Sequence, residues 1–177
     1  MRALIRSDLE RLDLPKKLMG IGKYLIAWVL YGSFKVTYWY RICSYWHSKK
    51  GKLARAILAI CNLIYKHYQF KIGVDLPYKT KVGKSFLIMH FGGIVVSKDA
   101  VIGDNCTIFQ CATVGKGGEG GAPTIGDNCT IFAGAKVLGG IRLGNNVIVG
   151  ANAVVLKDCP DNAVMAGVPA KILRIKE

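Results

Sequence analysis

Acidic residues and histidines are scarce in this chain of 177 residues. It carries 25 lysines and arginines, 11 aspartates and glutamates, and only three histidines. Its six cysteines form no Cys-x-x-Cys pair and no cluster with histidine at zinc-ligand spacing, so we predict no metal site. The first 15 residues are charged and lack the apolar core of a cleavable signal, so we expect a cytoplasmic protein with reduced cysteines.

Long apolar runs are also missing. The most apolar stretch, Ile21 to Tyr40, is interrupted by Lys23 and Lys35, which leave 11 uncharged residues between them. A membrane span needs about 20 apolar residues, so this stretch is predicted to form ordinary helix. Pro15 is the expected start of that helix, because proline is favoured at the first helical position.

The positive charge is concentrated in the first part of the chain. Residues 1–72 hold 14 lysines and arginines against 3 acidic residues, and residues 73–177 hold 11 against 8. The first part is predicted to be a basic, aromatic helical region, including an amphipathic helix from Lys52 to Phe70. Two interpretations stay open: the helices pack on the second region or a partner subunit, or residues 1–70 contact an anionic membrane surface at the inner face. No nucleic-acid-binding motif accompanies the charge, so no nucleic-acid partner is predicted.

Residues 73–177 carry a six-residue repeat. Ten successive repeat positions are isoleucine, valine or leucine: 96, 102, 108, 114, 125, 131, 137, 143, 149 and 155. Because strands have a period of two, a repeat of six points every marked residue to the same side. The fold class predicted is therefore mainly β: a parallel β-helix of short strands after a helical N-terminal region, with small residues, including Cys106, Cys129 and Cys159, filling its corners.

One break in the repeat, between Val114 and Ile125, adds a glycine-rich segment. We predict a protruding loop over residues 115–124. Since a filled β-helix has no interior cavity, function is expected on its faces, on this loop or between chains.

His90 lies just before the regular repeat begins, and Asp75 lies fifteen residues earlier. With about 18 residues in each coil, the two side chains are expected to stack roughly one coil apart. A carboxylate beside one imidazole nitrogen would fix the tautomer and leave the other nitrogen free to take a proton from a hydroxyl. From the residues alone, catalysis and packing remain equal alternatives for His90.

The stretches from Gly73 to Ile108 and from Ile125 to Leu173, with the fifteen-residue Asp75–His90 spacing and the closing sequence Ala-Gly-Val-Pro-Ala-Lys, resemble the hexapeptide-repeat acyltransferases. The most similar branch contains the serine acetyltransferases and the capsular-polysaccharide O-acetyltransferases. The resemblance implies a left-handed β-helix, a homotrimer with active sites between protomers, and acetyl-CoA as co-substrate. It also implies His90 as general base and Asp75 as its orienting partner.

The same resemblance implies a coenzyme site. The pantetheine arm is expected along Gly115, Ala133 and Ala151. The phosphates are expected near Lys136, Lys157 and Lys171, for which ordinary solvated lysine is the equal alternative.

Two positions depart from the serine acetyltransferases. Met89 stands where they carry an aspartate before the base, and Gly121-Ala122-Pro123 stands where they carry Arg-His-Pro. These departures remove partners for the two charges of serine, and unpaired buried charges are costly. The first hypothesis is therefore O-acetylation of a sugar hydroxyl in surface-polysaccharide synthesis. The second is serine O-acetylation, and the third is a membrane-tethered scaffold without activity.

Overall fold

The chain begins with four helices and continues as coils of short strands in the computed structural model, which describes residues 1–15, 20–90, 92–117 and 120–176. The helices are α1 (Arg2–Leu9), α2 (Ile21–Leu30), α3 (Gly32–His47) and α4 (Lys52–Ile72). The helix expected from Pro15 begins at Ile21, and residues 16–19 lie outside the described ranges. Among the described helices, none combines the length and apolar character needed to cross a membrane.

Fifteen strands follow, and most contain two or three residues. They are β1 (Val74–Asp75), β2 (Lys81–Val82), β3 (Leu87–Ile88), β4 (Ile94–Val96), β5 (Val101–Ile102), β6 (Thr107–Ile108), β7 (Thr113–Gly115), β8 (Thr124–Ile125), β9 (Thr130–Ile131), β10 (Lys136–Leu138), β11 (Arg142–Leu143), β12 (Ile148–Val149), β13 (Val154–Val155), β14 (Ala163–Gly167) and β15 (Ala170–Ile175).

Every third strand joins the same sheet, which makes a parallel solenoid with three faces. The first face contains β1, β4, β7, β10 and β13, the second β2, β5, β8 and β11, and the third β3, β6, β9, β12 and β14. The antiparallel β15 extends the third face and closes the C-terminal end. The predicted parallel β-helix preceded by helices is confirmed.

The predicted inward positions form the solenoid core. All ten aliphatic repeat residues have no more than 2% of their surface exposed. Cys106, Cys129 and Cys159 are buried at the corner positions, and the first two thiols donate to carbonyl oxygens of the next coil, those of Gly126 and Gly144. Core packing therefore accounts for these cysteines, as expected.

Asparagine side chains stack along one edge of the solenoid. Asn105, Asn128, Asn146 and Asn162 all have left-handed φ values between 57° and 63°. Each amide nitrogen donates to the next amide oxygen, at 2.8, 3.1 and 2.8 Å. Glycine precedes this column by two positions in the first three coils because the coils nearly touch there: a Cβ on Gly126 would lie 2.7 Å from the Gly144 carbonyl carbon.

The helices cover the N-terminal end of the solenoid. Val36, Tyr40 and Cys43 of α3 belong to one core cluster with Val74 and Leu76 of the first coil. This supports the interpretation in which the helices pack on the second region.

A buried ion pair fixes this cap. Arg41 contacts Asp8 at 2.8 Å, and both side chains are almost fully buried. Asp8 also accepts a hydrogen bond from the Phe86 backbone, and Arg41 donates to the carbonyl of Val82. The pair therefore joins α1, α3 and the first coil.

Candidate active site

The corner between β3 and β4 is longer than the equivalent corners above it. The inward Val96 lies eight positions after the inward Ile88, whereas Val114 lies six positions after Ile108, as do the matching pairs in the next two coils. The additional residues leave Met89 and His90 exposed. The structure therefore places His90 at an interruption of the repeat, where packing does not require an imidazole.

Asp75 occupies the same side of the first coil. Asp75 pairs with Val95 in the parallel ladder, 20 positions later. Because the long corner lengthens this coil to 20 residues, the residue one coil above Asp75 is Val95 and not His90. Asp75 and His90 instead flank the backbone contact between Gly73 and Gly92, where a Cβ on Gly73 would lie 3.3 Å from the Gly92 Cα. In the described chain, no hydrogen bond joins the carboxylate to the imidazole. That contact remains a prediction.

An aromatic column extends from the candidate base. The His90 ring lies 6.0 Å from that of Phe109, and Phe109 stacks on Phe132 at 4.9 Å with planes 21° apart. Phe132 remains 37% exposed. No motif in the sequence marks these phenylalanines, although both directly follow paired isoleucines in consecutive coils. They give the space beside His90 an apolar wall.

The residues predicted to bind the pantetheine arm lie in two separate places on the solenoid. Ala133 and Ala151 stack at the corner that contains the aromatic column, where the Asn152 backbone donates to the Ala133 carbonyl at 2.9 Å. Gly115 lies at the far end of β7, across the first face. One protomer therefore brings the two alanines together and not the glycine.

The predicted phosphate lysines are also spread out. Lys136 begins β10 and its Nζ donates to the Cys111 carbonyl at 2.6 Å. Lys157 and Lys171 are exposed in the last coil and in the closing hairpin. Both exposed side chains are free of ion pairs in the part of the chain that is described.

The loop over residues 115–124 folds back on the next coil in its described part, while residues 118 and 119 lie outside it. The Gly139 backbone donates to the Gly115 carbonyl at 3.0 Å. A Cβ on Gly140 would lie 2.7 Å from the Gly120 carbonyl oxygen. Lys116 pairs with Asp99 at 2.7 Å, and this contact holds the pKa of Asp99 below its usual range.

Known proteins are similar to this chain over both its helices and its coils. The model of the bacterial transferase hexapeptide family (six repeats) matches residues 122–157. The serine acetyltransferase of Staphylococcus aureus strain Mu50 is 37% identical over 172 residues, covering 96% of this chain and 70% of that protein. The chain belongs to the serine acetyltransferase family.

Solved structures of the family superpose on the helices and the coils together. Soybean serine acetyltransferase complexed with serine has a TM-score of 0.79 at 28% identity, covering 97% of this chain and 69% of that one. A serine acetyltransferase in complex with CoA has a TM-score of 0.76 at 28% identity, covering 96% and 68%. The chain therefore spans about two thirds of the length of these relatives.

Membership confirms the resemblance found in the sequence and establishes a hexapeptide-repeat acyltransferase. The relatives named above are serine acetyltransferases. They therefore favour the second hypothesis, serine, over the first hypothesis of a polysaccharide acceptor. The scaffold hypothesis has no support from them.

Proposed function

We propose that this chain is an acetyl-CoA-dependent O-acetyltransferase and that L-serine is its acceptor. The observation that carries the proposal is the similarity to a serine acetyltransferase over 96% of this chain, which includes the long corner with His90. The CoA and serine complexes of related structures support the same pair of substrates.

In the proposed reaction, His90 accepts the proton of the acceptor hydroxyl while that oxygen attacks the acetyl carbonyl carbon. Asp75 orients the imidazole, and nearby backbone N–H groups stabilise the oxyanion. The carbon–sulfur bond then breaks, and His90 returns its proton to the departing thiolate. The products are the O-acetyl ester and CoA. Acetyl-CoA supplies the activated thioester.

The residues at the proposed coenzyme site suit a thin pantetheine arm. Ala133 and Ala151 carry only methyl groups beside accessible backbone, and Gly115 carries none. We place the phosphates near Lys136, Lys157 and Lys171. Gly115 lies across the first face from Ala133 and Ala151, so a single protomer does not bring the three residues together. A site formed between two protomers of a homotrimer would place Gly115 of one protomer near the alanines of the other. A light-scattering mass of three chains would support this assembly, and the mass of one chain would contradict it.

A saccharide hydroxyl is the second candidate acceptor, and the aromatic column favours it. The exposed Phe132 face offers a surface on which the C–H face of a sugar ring can pack. Met89 and Gly121-Ala122-Pro123 supply no charged partner for serine.

One assay separates the two acceptors. Purified protein is given acetyl-CoA with L-serine, nucleotide sugars, lipid-linked glycans or no acceptor, and free CoA is measured. CoA release with L-serine supports the proposal. Release only with glycans supports the second candidate, and no release with any acceptor contradicts acetyl transfer.

We also propose contact between residues 1–70 and an anionic membrane surface. Large apolar side chains are exposed on α2 (Ile21, Leu25, Val29) and on α4 (Leu53, Leu63), within the most basic part of the chain. Apolar and cationic groups together favour the surface of an anionic bilayer. Co-sedimentation with phosphatidylserine vesicles at low salt tests this, and protein that stays wholly in the supernatant contradicts it.

A further inference from the structure

A cleft with both apolar and charged lining lies between α4 and the first two coils, with Asp75 in its wall. Its volume is about 380 Å³. The side chains that give it its chemistry are Asn62, Lys66, Gln69, Asp75, Lys79 and Lys98. His90, on the long corner, is absent from this lining, and Asp75 is the residue that the cleft shares with the proposed catalytic pair.

Two amide oxygens at this cleft have no hydrogen-bond partner. The Gln69 amide nitrogen donates to the Leu76 carbonyl at 2.9 Å, which identifies its other atom as the acceptor oxygen. That oxygen and the Asn62 amide oxygen are buried without a donor in the described structure. Seven residues separate Asn62 and Gln69, so both lie on one face of α4. A buried acceptor without a donor is costly, and a hydroxyl or ammonium group of a ligand would supply one after a small side-chain movement.

The charge of the cleft is positive. Lys66, Lys79 and Lys98 are exposed at its rim, and Asp75 is the carboxylate among the lining residues. Within the described ranges none of the three lysines forms an ion pair. The neighbouring Asp99 is paired with Lys116 instead. The cleft therefore offers cations to an anionic group and acceptors to a hydrogen-bond donor.

We propose that this cleft binds the anionic end of the acceptor, a molecule that carries a phosphate or carboxylate together with hydroxyl or ammonium donors. The inference rests on the proposed acetyl transfer, because Asp75 belongs both to this cleft and to the proposed catalytic pair. L-serine and a sugar phosphate share the required chemistry. The lysines supply cations in place of the basic pair that is missing at the loop, and Asp75 is the lining carboxylate that could pair with an ammonium group.

Equilibrium binding tests the cleft without any turnover. Calorimetry compares L-serine, glucose 1-phosphate, glucose and inorganic phosphate on the full chain. The double variant Lys79→Ala/Lys98→Ala is expected to weaken the binding of L-serine or glucose 1-phosphate by about tenfold, because two ion pairs are lost. Lys52→Ala, which removes an exposed lysine of α4 outside the cleft, is the control and is expected to bind like the wild type.

The variant Asn62→Ala tests the donor contact. It is expected to weaken the binding of glucose 1-phosphate several-fold and to leave the affinity for inorganic phosphate unchanged, since that ion has no sugar hydroxyl. Equal affinity of the wild type and the double lysine variant overturns the proposal. So does a wild type that binds glucose as tightly as glucose 1-phosphate, or one that binds none of the charged probes.

Kinetics then connects the cleft to the reaction. The double lysine variant should raise the acceptor KM by about tenfold and leave the KM of acetyl-CoA unchanged. An unchanged acceptor KM overturns the assignment as an acceptor site. If the protein binds the probes in a lysine-dependent way but never releases CoA, the proposed function is contradicted and the anion site is still supported.

Discussion

The first coil and the coils above it are held together differently. From β4 upward, each coil repeats the last through backbone ladders, a column of asparagine amides and close glycine contacts. The first coil joins the same ladders and is also attached to the helices by side chains: Arg41 to the Val82 carbonyl, Tyr40 to the Thr80 carbonyl at 2.6 Å, and Gln69 to the Leu76 carbonyl. It also has the long corner with His90.

This difference assigns stability to the regular coils and the candidate chemistry to the first coil. A regular coil buries its repeat aliphatic residues and pairs its backbone in parallel ladders, so its inward positions serve packing. At the interrupted corner the chain exposes His90, and Asp75 is exposed on the same coil. The regular coils provide the rigid support, and the first coil holds the candidate reactive groups.

Removing Arg41 should have the largest effect on stability. Arg41→Ala leaves the Asp8 carboxylate buried without its cation, so we expect a loss of about 3–5 kcal/mol in unfolding free energy, measured by urea denaturation. Lys84→Ala, which breaks the exposed pair with Asp104 at 3.4 Å, is the control and should cost under about 1 kcal/mol. Equal effects of the two substitutions would mean that the ion pair does not fix the cap.

Asp75→Asn should affect turnover and not folding. Asp75 is exposed on the first coil, so the neutral isostere should unfold like the wild type. Loss of the orienting carboxylate should lower kcat by about tenfold to a hundredfold with the KM of acetyl-CoA unchanged. An unchanged kcat would show that Asp75 does not position the imidazole.

Gly126→Ala should disturb the regular coils. The added Cβ would lie 2.7 Å from the backbone of Gly144, and we expect a loss of about 1–3 kcal/mol. Gly115→Ala is the matched control, because its Cβ would meet side chains at an ordinary 3.5 Å. Thermal unfolding distinguishes them, and a Gly126→Ala variant as stable as Gly115→Ala would argue against the close coil contact.

The smallest effect concerns two cysteines. Burial raises the pKa of Cys43 to about 12 from an ordinary 9.0, whereas Cys111 is exposed at a coil corner. Cys43 therefore contributes stability that is fully present below pH 9.0 and is lost as the pH rises toward about 12, since only the unfolded thiol ionises in that interval. At pH 8, iodoacetamide should modify Cys111 first, as read by mass spectrometry. Equal rates would contradict the buried position of Cys43.

The sequence predicts the solenoid well because the repeat is local and periodic. The six-residue spacing identifies the ten inward positions from Val96 to Val155, and the amphipathic pattern identifies helix α4, whereas the inward Val74, Leu76 and Ile88 of the first coil lie outside that regular spacing. The handedness came from the resemblance, not from the spacing. The repeated Gly-Asp-Asn, which marks the asparagine column, was visible but did not reveal its stacking.

The candidate site was less predictable because it depends on tertiary contacts. The Asp75–Val95 register follows from the two additional residues in the long corner, and a count of 18 residues per coil misplaces it. Asp8 and Arg41 are separated by 33 residues, and no local pattern pairs them. The orphaned amides of Asn62 and Gln69 depend on how α4 packs against the first coil.

The central claim is that the interrupted corner holds the base of an acetyl transfer, and His90→Ala tests it most directly. Free CoA release is measured for this variant and for His67→Ala, an exposed histidine of α4, with circular dichroism as the check on folding. We predict that His90→Ala lowers kcat by about a hundredfold to ten-thousandfold in a folded protein, while His67→Ala retains wild-type turnover. A folded His90→Ala variant with turnover near that of the wild type would contradict the account.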